Sequence, residues 1–336
     1  MYCKNQLLYL DANSFLYPKP LTMEKRSYSL RYTGNGGDFF KIWFVNAFIQ
    51  VITLGLYYPW AKVANLKYLY SQTEWEGSPF QFLGTGRELF IGFIKAILLV
   101  GALYGAFFYL AFLQMPIYAF LVFLTGFALL IPLALHGTFK YRMSRTSWRG
   151  IRAGYRGDRG ELFKLFITGF FLTIVTLGIY GAWFVNDLRT YIIGNLRLGN
   201  STFQFKGKGT DFFLVNFLGY LLTLVSLGIY FFWWQKDLFE FFVNNLKMKY
   251  GDQELSFKSK ATGGGFFNLI FINLLLIIFT LGLATPWVVT RTMEFVTSNI
   301  EPTGDVDFDA LIQTEGSYTD ATGEDMADIF DLDIAF

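Results

Sequence analysis

The amino-acid sequence predicts an all-α polytopic membrane protein. It would hold six strong transmembrane helices, shorter amphipathic or return helices, and small β-hairpin connectors. Three observations predict it. The 336 residues are 53% hydrophobic and only 16% charged, where a soluble domain carries roughly 25% charged residues. One phrase recurs four times, as Thr53-Leu54-Gly55, Thr176-Leu177-Gly178, Ser226-Leu227-Gly228 and Thr280-Leu281-Gly282. The chain around those phrases is free of charge over 53–60, 176–183, 226–234 and 280–287.

The phrase belongs to a larger unit. Trp60, Trp183, Trp233 and Trp287 each follow the glycine by five residues. Asp38, Glu88, Glu161 and Asp211 open the apolar runs, spaced 50, 73 and 50 residues apart. A carboxylate at a helix start complements the positive helix end, so these four read as helix caps rather than catalytic acids. The unit is therefore about 50 residues long and present five times. Its second copy carries 23 extra residues in place of the phrase, with a charge-free turn at 113–116.

Six segments reach the roughly 20 residues that a membrane helix needs: about 39–58, 89–111, 116–136, 163–185, 211–234 and 265–289. Between units, 73–82, 196–205 and 246–257 alternate around glycine-containing turns, as small hairpins do. Such strands belong outside the hydrocarbon. Two topologies are open. Either six helices cross, or each phrase turns the chain back along a shorter return helix. Return helices would carry Asp187, Arg189, Lys236, Asp237 and Glu240, the candidate polar intramembrane residues. Lys236 and Glu240 stand at i,i+4 spacing, and Asp187 and Arg189 are a second possible pair. The turn glycines Gly55, Gly178, Gly228 and Gly282 read as structural, with the tryptophans as interfacial anchors. The alternative reading is a broken helix whose backbone binds an ion or substrate.

The chain divides into an N-terminal segment (1–28), a repeat-built membrane domain (29–300) and an acidic tail (301–336). The tail holds eleven acids and no Lys or Arg, leaving 28 basic against 26 − 11 = 15 acidic residues elsewhere. Its composition reads as disordered, or as a segment docking on the basic connectors or on a partner. Arg142, Arg145, Arg149 and Arg152 are candidates for anionic lipid headgroups. A body this apolar excludes nucleic acid as a partner. One Cys (Cys3) and one His (His136) argue against a metal or haem cofactor, so no cofactor is expected. Catalytic residues are likewise not apparent, and oligomeric state is not legible.

The units resemble the YjgN-like family of bacterial inner-membrane proteins, which has no assigned function. The carrying residues are Gly36-Gly37-Asp38-Phe39-Phe40-Lys41-Ile42-Trp43 and Thr53-Leu54-Gly55-Leu56-Tyr57, with Pro59-Trp60-Ala61-Lys62-Val63. Thr73-Glu74-Trp75-Glu76-Gly77 and Phe82-Leu83-Gly84-Thr85-Gly86-Arg87-Glu88-Leu89 continue the match. The resemblance implies a multi-pass location in the bacterial cytoplasmic membrane. The expected function is binding or passage of a small solute or lipid through the helix bundle. The alternative is a non-catalytic membrane scaffold or envelope-maintenance protein acting through its basic connectors and acidic tail.

Overall fold

Each Thr/Ser-Leu-Gly phrase reverses the chain in the structure, a computed structural model that describes residues 26–329. Two short strands, β1 (Arg26–Ser27) and β2 (Leu30–Tyr32), lead into a helical hairpin. Its arms are α1 (Gly36–Ile52) and α2 (Tyr58–Ser71), followed by β3 (Thr73–Trp75) and β4 (Ser78–Phe82). The same order recurs. Next come α3 (Gly86–Phe112), α4 (Pro116–Ser144), β5 (Thr146–Trp148) and β6 (Ile151–Tyr155). Then come α5 (Arg159–Val175), α6 (Gly181–Gly194), β7 (Leu196–Leu198) and β8 (Ser201–Phe205). The fourth set is α7 (Gly209–Val225), α8 (Phe231–Asn244), β9 (Leu246–Tyr250) and β10 (Gln253–Ser259). The last is α9 (Gly263–Phe279), α10 (Thr285–Ser298) and β11 (Ile300–Gly304), with α11 (Thr322–Ile329) beyond it.

The phrase itself explains the reversal. Leu54, Leu177, Leu227 and Leu281 have φ of 50–52°, and the glycines after them φ of 87–93°. Two successive left-handed residues end a helix sharply, and the second is where glycine costs least. The Thr or Ser hydroxyl then joins the two arms. Tyr57 N–H donates to Thr53 Oγ1 at 3.2 Å, and Tyr230 N–H to Ser226 Oγ at 2.8 Å.

The connectors form one antiparallel sheet of eleven strands, in the order β1-β11-β10-β9-β8-β7-β6-β5-β4-β3-β2. Its two ends are consecutive pieces of chain. Arg26 pairs with Gly304, and Leu30 pairs with Trp75. The Tyr28 N–H reaches Pro302 O at 2.9 Å, and Glu76 N–H reaches Ser29 O at 2.8 Å, so residues 26–32 seal the sheet into a small barrel. Every hairpin has a two-residue loop. Positive φ at both Glu76-Gly77 and Arg149-Gly150 gives the turn whose twist matches paired strands. Trp75, Trp148, Ala153, Leu198, Met248, Leu255 and Phe257 come from six strands and meet in one cluster, which places them inside the barrel. The alternate residues, such as Lys247 and Glu254, point outward.

The helices form a second ring on the barrel. Each packs on its neighbours in the chain, and α10 packs on α1. A tryptophan of one hairpin covers the glycine that opens the next. A Cβ added at Gly86, Gly209 or Gly263 would overlap the indole of Trp60, Trp183 or Trp233, and one at Gly36 would overlap Trp287. The tryptophans are thus joints between hairpins, although Trp60, Trp233 and Trp287 keep about two fifths of their surface exposed.

The structure corrects the all-α, six-span expectation. The connectors build a closed sheet, and among the described residues only α3 and α4, of 27 and 29 residues, are long and apolar enough to cross a membrane. The expected spans 39–58, 163–185, 211–234 and 265–289 each run through a turn into the returning arm. The first arms α1, α5, α7 and α9 have 17 residues each, about 26 Å at 1.5 Å per residue. A hydropathy window cannot see a turn made from Leu and Gly, because both count as apolar.

Residues 301–304, at the start of the expected tail, belong to strand β11, and the chain beyond them lies against the body. Val306, Phe308 and Leu311 are buried in the barrel cluster, and Phe308 meets Trp75 and Trp148 edge-on at 4.7 and 5.3 Å. The chain then leaves over the β7–β8 turn, where Thr314 Oγ1 donates to Gly199 O at 2.6 Å. Its last described stretch lies on α3 and α4, where Gly92 lets the Ala321 backbone come close and Gly137 that of Gly323. Composition reads this stretch as disordered, but its apolar residues, spaced among the acids, have a barrel to fill. Cys3, most of the N-terminal segment and residues 330–336 lie outside the described residues.

Candidate functional site

The polar residues of the returning arms stand at matched heights. Asp187, Asp237 and Arg291 each follow their turn glycine by nine residues, and Asn273 precedes Gly282 by nine. In an antiparallel hairpin those two offsets face each other. In the last hairpin Arg291 Nε donates to Asn273 Oδ1 at 3.3 Å, and Asn273 Nδ2 to Thr292 Oγ1 at 3.2 Å. In the fourth hairpin Lys236 bonds Glu240, as its spacing predicts, and also Asp237 at 3.3 Å. The Tyr230 hydroxyl donates to Asp237 at 3.1 Å.

In the third hairpin Gly169 stands opposite Asp187 with the Phe184 ring packed against it, as Trp234 packs against Gly219 in the fourth. A crevice of about 350 Å³ opens there, lined by Glu161, Lys164, Leu165, Thr168, Gly169, Tyr180, Phe184 and Asp187. Two carboxylates and one ammonium therefore share a pocket whose other walls are largely apolar. Asp187 is not engaged by Arg189, whose guanidinium instead lies 3.6 Å over the Phe242 ring. Sequence reasoning singled out Asp187 as a polar intramembrane candidate and Glu161 only as a helix cap, and it assigned Lys164, Thr168 and Phe184 to no site.

The four acidic residues at the helix starts occupy the first turn rather than the cap itself. Asn35 caps α1 by accepting from Asp38 N–H at 2.9 Å, and Asp158 caps α5 by accepting from Glu161 N–H at 2.9 Å. Thr85 and Glu88 form a reciprocal capping box on α3. Asp211 lies in the first turn of α7, whose cap Lys208 makes no side-chain bond. Glu88 has a second role. It accepts from Arg145 Nη2 at 2.8 Å and from the Tyr141 hydroxyl at 3.2 Å, tying the start of α3 to the end of α4.

The arginines chosen for headgroups are spread along the second connector. Arg142 lies in the last turn of α4, and Arg145 is buried against Glu88. Arg149 sits at the hairpin tip, 2.8 Å from Asp309, with its guanidinium 4.5 Å over the Trp148 ring. The backbone N–H of Arg152 donates to Gln313 Oε1. The tail thus meets this basic face, adding Arg156 with Glu315 at 2.6 Å and Lys95 with Asp320 at 3.5 Å. Among the described residues, no group of three or more His, Cys, Asp or Glu could hold a metal ion.

A barrel-capped ring of apolar helical hairpins, with a few polar residues facing one another across the arms, defines a class of membrane protein. The chain belongs to the family described as bacterial protein of unknown function (DUF898), whose model matches residues 27–218 and 234–329. It is similar to two relatives named inner membrane protein YjgN. That of Salmonella typhimurium is 28% identical over 173 residues, and that of Escherichia coli K12 is 29% identical over 169. These matches cover 48% and 49% of this chain and 42% and 39% of the relatives' own lengths. Family and relatives together support a YjgN-like inner-membrane protein. No solved structure matches the chain.

Proposed function

We propose that this is a multi-pass inner-membrane protein, built by repetition of one helical-hairpin unit, that binds a zwitterionic aminophospholipid headgroup. The crevice between α5 and α6 carries the reading. Glu161 and Asp187 suit an amine, Lys164 suits a phosphate, and Leu165 and Phe184 suit the adjoining apolar part. Its volume of about 350 Å³ falls at the lower end of small-ligand sites. The test is lipid retention. The full chain is purified in mild detergent, and its bound lipid is resolved by headgroup with native mass spectrometry. Asp187→Asn and Lys164→Gln should each lower bound aminophospholipid at least fivefold while the protein stays monodisperse. Retention equal to the parent in both variants overturns the reading.

A further inference from the structure

The five hairpins rise from one barrel but differ in reach. At 1.5 Å per residue α3 and α4 extend about 40 and 44 Å, while the 17-residue arms extend about 26 Å. A mark on α3 shows where water ends. Lys95 pairs with Asp320 of the tail at 3.5 Å, and both side chains are about half exposed. This charged pair belongs at the headgroup level. Beyond it, residues 96–139 carry no Asp, Glu, Lys or Arg. The arm from Ala96 to Phe112 measures about 26 Å, close to the thickness of the hydrocarbon, about 30 Å. One unit earlier, the Lys95 level falls at Val45. Only seven more residues of α1 lie beyond it, about 10 Å of helix.

The turns differ in the same sense. At the first left-handed position the four short hairpins place leucine, 92–94% exposed. The long hairpin places Gln114 there, with φ of 61°. The short turns also satisfy their own backbone. From Thr53 to Tyr58 each N–H has an acceptor within the turn or the preceding helix. Leu54 donates to Val51 O, Gly55 to Gln50 O, Leu56 to Thr53 O, and Tyr58 to Gly55 O. Tyr57 donates to the Thr53 hydroxyl. Residues 176–181, 226–231 and 280–285 repeat this pattern. Inside hydrocarbon no water can take up a spare N–H, and these turns leave none.

We propose that only the α3–α4 hairpin crosses the bilayer, and that the other four end inside it, with Leu54, Leu177, Leu227 and Leu281 near the midplane. The barrel, which carries the Lys and Arg of the connectors, faces the cytoplasm. The partner surface is thus a single leaflet, displaced by a crown of four re-entrant hairpins around one true crossing.

Single cysteines in a Cys3→Ser background test this. Full-length Gln114→Cys and Leu227→Cys proteins are treated in intact spheroplasts and in inside-out vesicles with a membrane-impermeant maleimide. Gln114→Cys should label from outside. Leu227→Cys should label from neither side, yet label fully in denaturing detergent. A nitroxide on Leu227→Cys should show oxygen accessibility at least threefold above that at Gln114→Cys. External labelling of Leu227→Cys to the level of Gln114→Cys overturns the proposal, as does failure of Gln114→Cys to label from outside. Because Leu227 is almost wholly exposed, its replacement disturbs no packing.

Discussion

The indole of Trp287 lies directly against Gly36, so the last hairpin is fastened to the first. The same joint recurs where Trp60 meets Gly86, Trp183 meets Gly209 and Trp233 meets Gly263. Gly36→Ala should therefore cost about 1–3 kcal/mol, the range for overfilling a packed site, and lower the thermal midpoint in detergent. Gly264→Ala, where an added Cβ meets nothing within 4 Å, is the matched control and should be neutral or mildly stabilising.

The Glu88–Arg145 pair is a second joint, within the long hairpin. Glu88→Gln removes the charge that answers a buried guanidinium. Breaking a buried pair this way costs about 3 kcal/mol. Thermal unfolding monitored by circular dichroism should show a clear drop for Glu88→Gln. Replacing both residues should cost less than the sum of the two single changes.

Gly228 has φ of 93°, a conformation in which a side chain is strained. Gly228→Ala should destabilise the fourth hairpin by about 1–3 kcal/mol. Ser226→Ala removes the acceptor for Tyr230 N–H and should cost about 1 kcal/mol. Limited proteolysis of purified protein would report both, as faster cleavage than in the parent chain.

Phe308 anchors the tail in the barrel, against Tyr28, Trp75 and Trp148. Phe308→Ala should cost about 3 kcal/mol, as for other buried aromatics. Hydrogen exchange over residues 305–320 should rise with it. If the tail is held by its charges alone, exchange would respond to salt and not to this substitution.

The outer barrel face gives a pH dependence. The Lys247 ammonium bonds Glu254, with Lys206 3.5 Å away, and holds the Glu254 carboxyl below its ordinary value of 4.5. A lowered carboxyl contributes stability above that value and loses it as pH falls through the folded-state value. The stability gap between the parent and Glu254→Gln should be full at pH 6 and shrink steadily below pH 4.5. A gap that stays constant down to pH 3 contradicts this assignment.

Local features were legible in the sequence, and relations between distant segments were not. The Thr53-Leu54-Gly55 phrase and its copies mark turns because left-handed backbone needs glycine, a signal carried by adjacent residues. The hairpins at 73–82 and 196–205 were visible from alternation and turn residues. Their union into a closed sheet was not, because pairings such as Phe80 with Trp148 depend on residues far apart in the chain. Span length failed for a different reason. Leu and Gly are apolar whether they continue a helix or end it, so 211–234 reads as one crossing when it is an arm, a turn and the start of another. At the site, Asp187 was visible as a charge in an apolar run. The crevice beside it is walled from across the hairpin by Leu165, Thr168 and Gly169, which no single-helix pattern shows.

The strand pairing of Ser27 with Thr303 has a consequence for assembly in time. Its two halves lie far apart in the chain, so one is synthesised long before the other. Until Ile300–Gly304 leaves the ribosome, the edge at Arg26–Ser27 has no neighbour. The incomplete barrel meanwhile presents open strand edges, which invite pairing with other chains. The ring's final closure therefore waits for the last described strand, and any chain stopped before it should be recognised by the cell as unfinished.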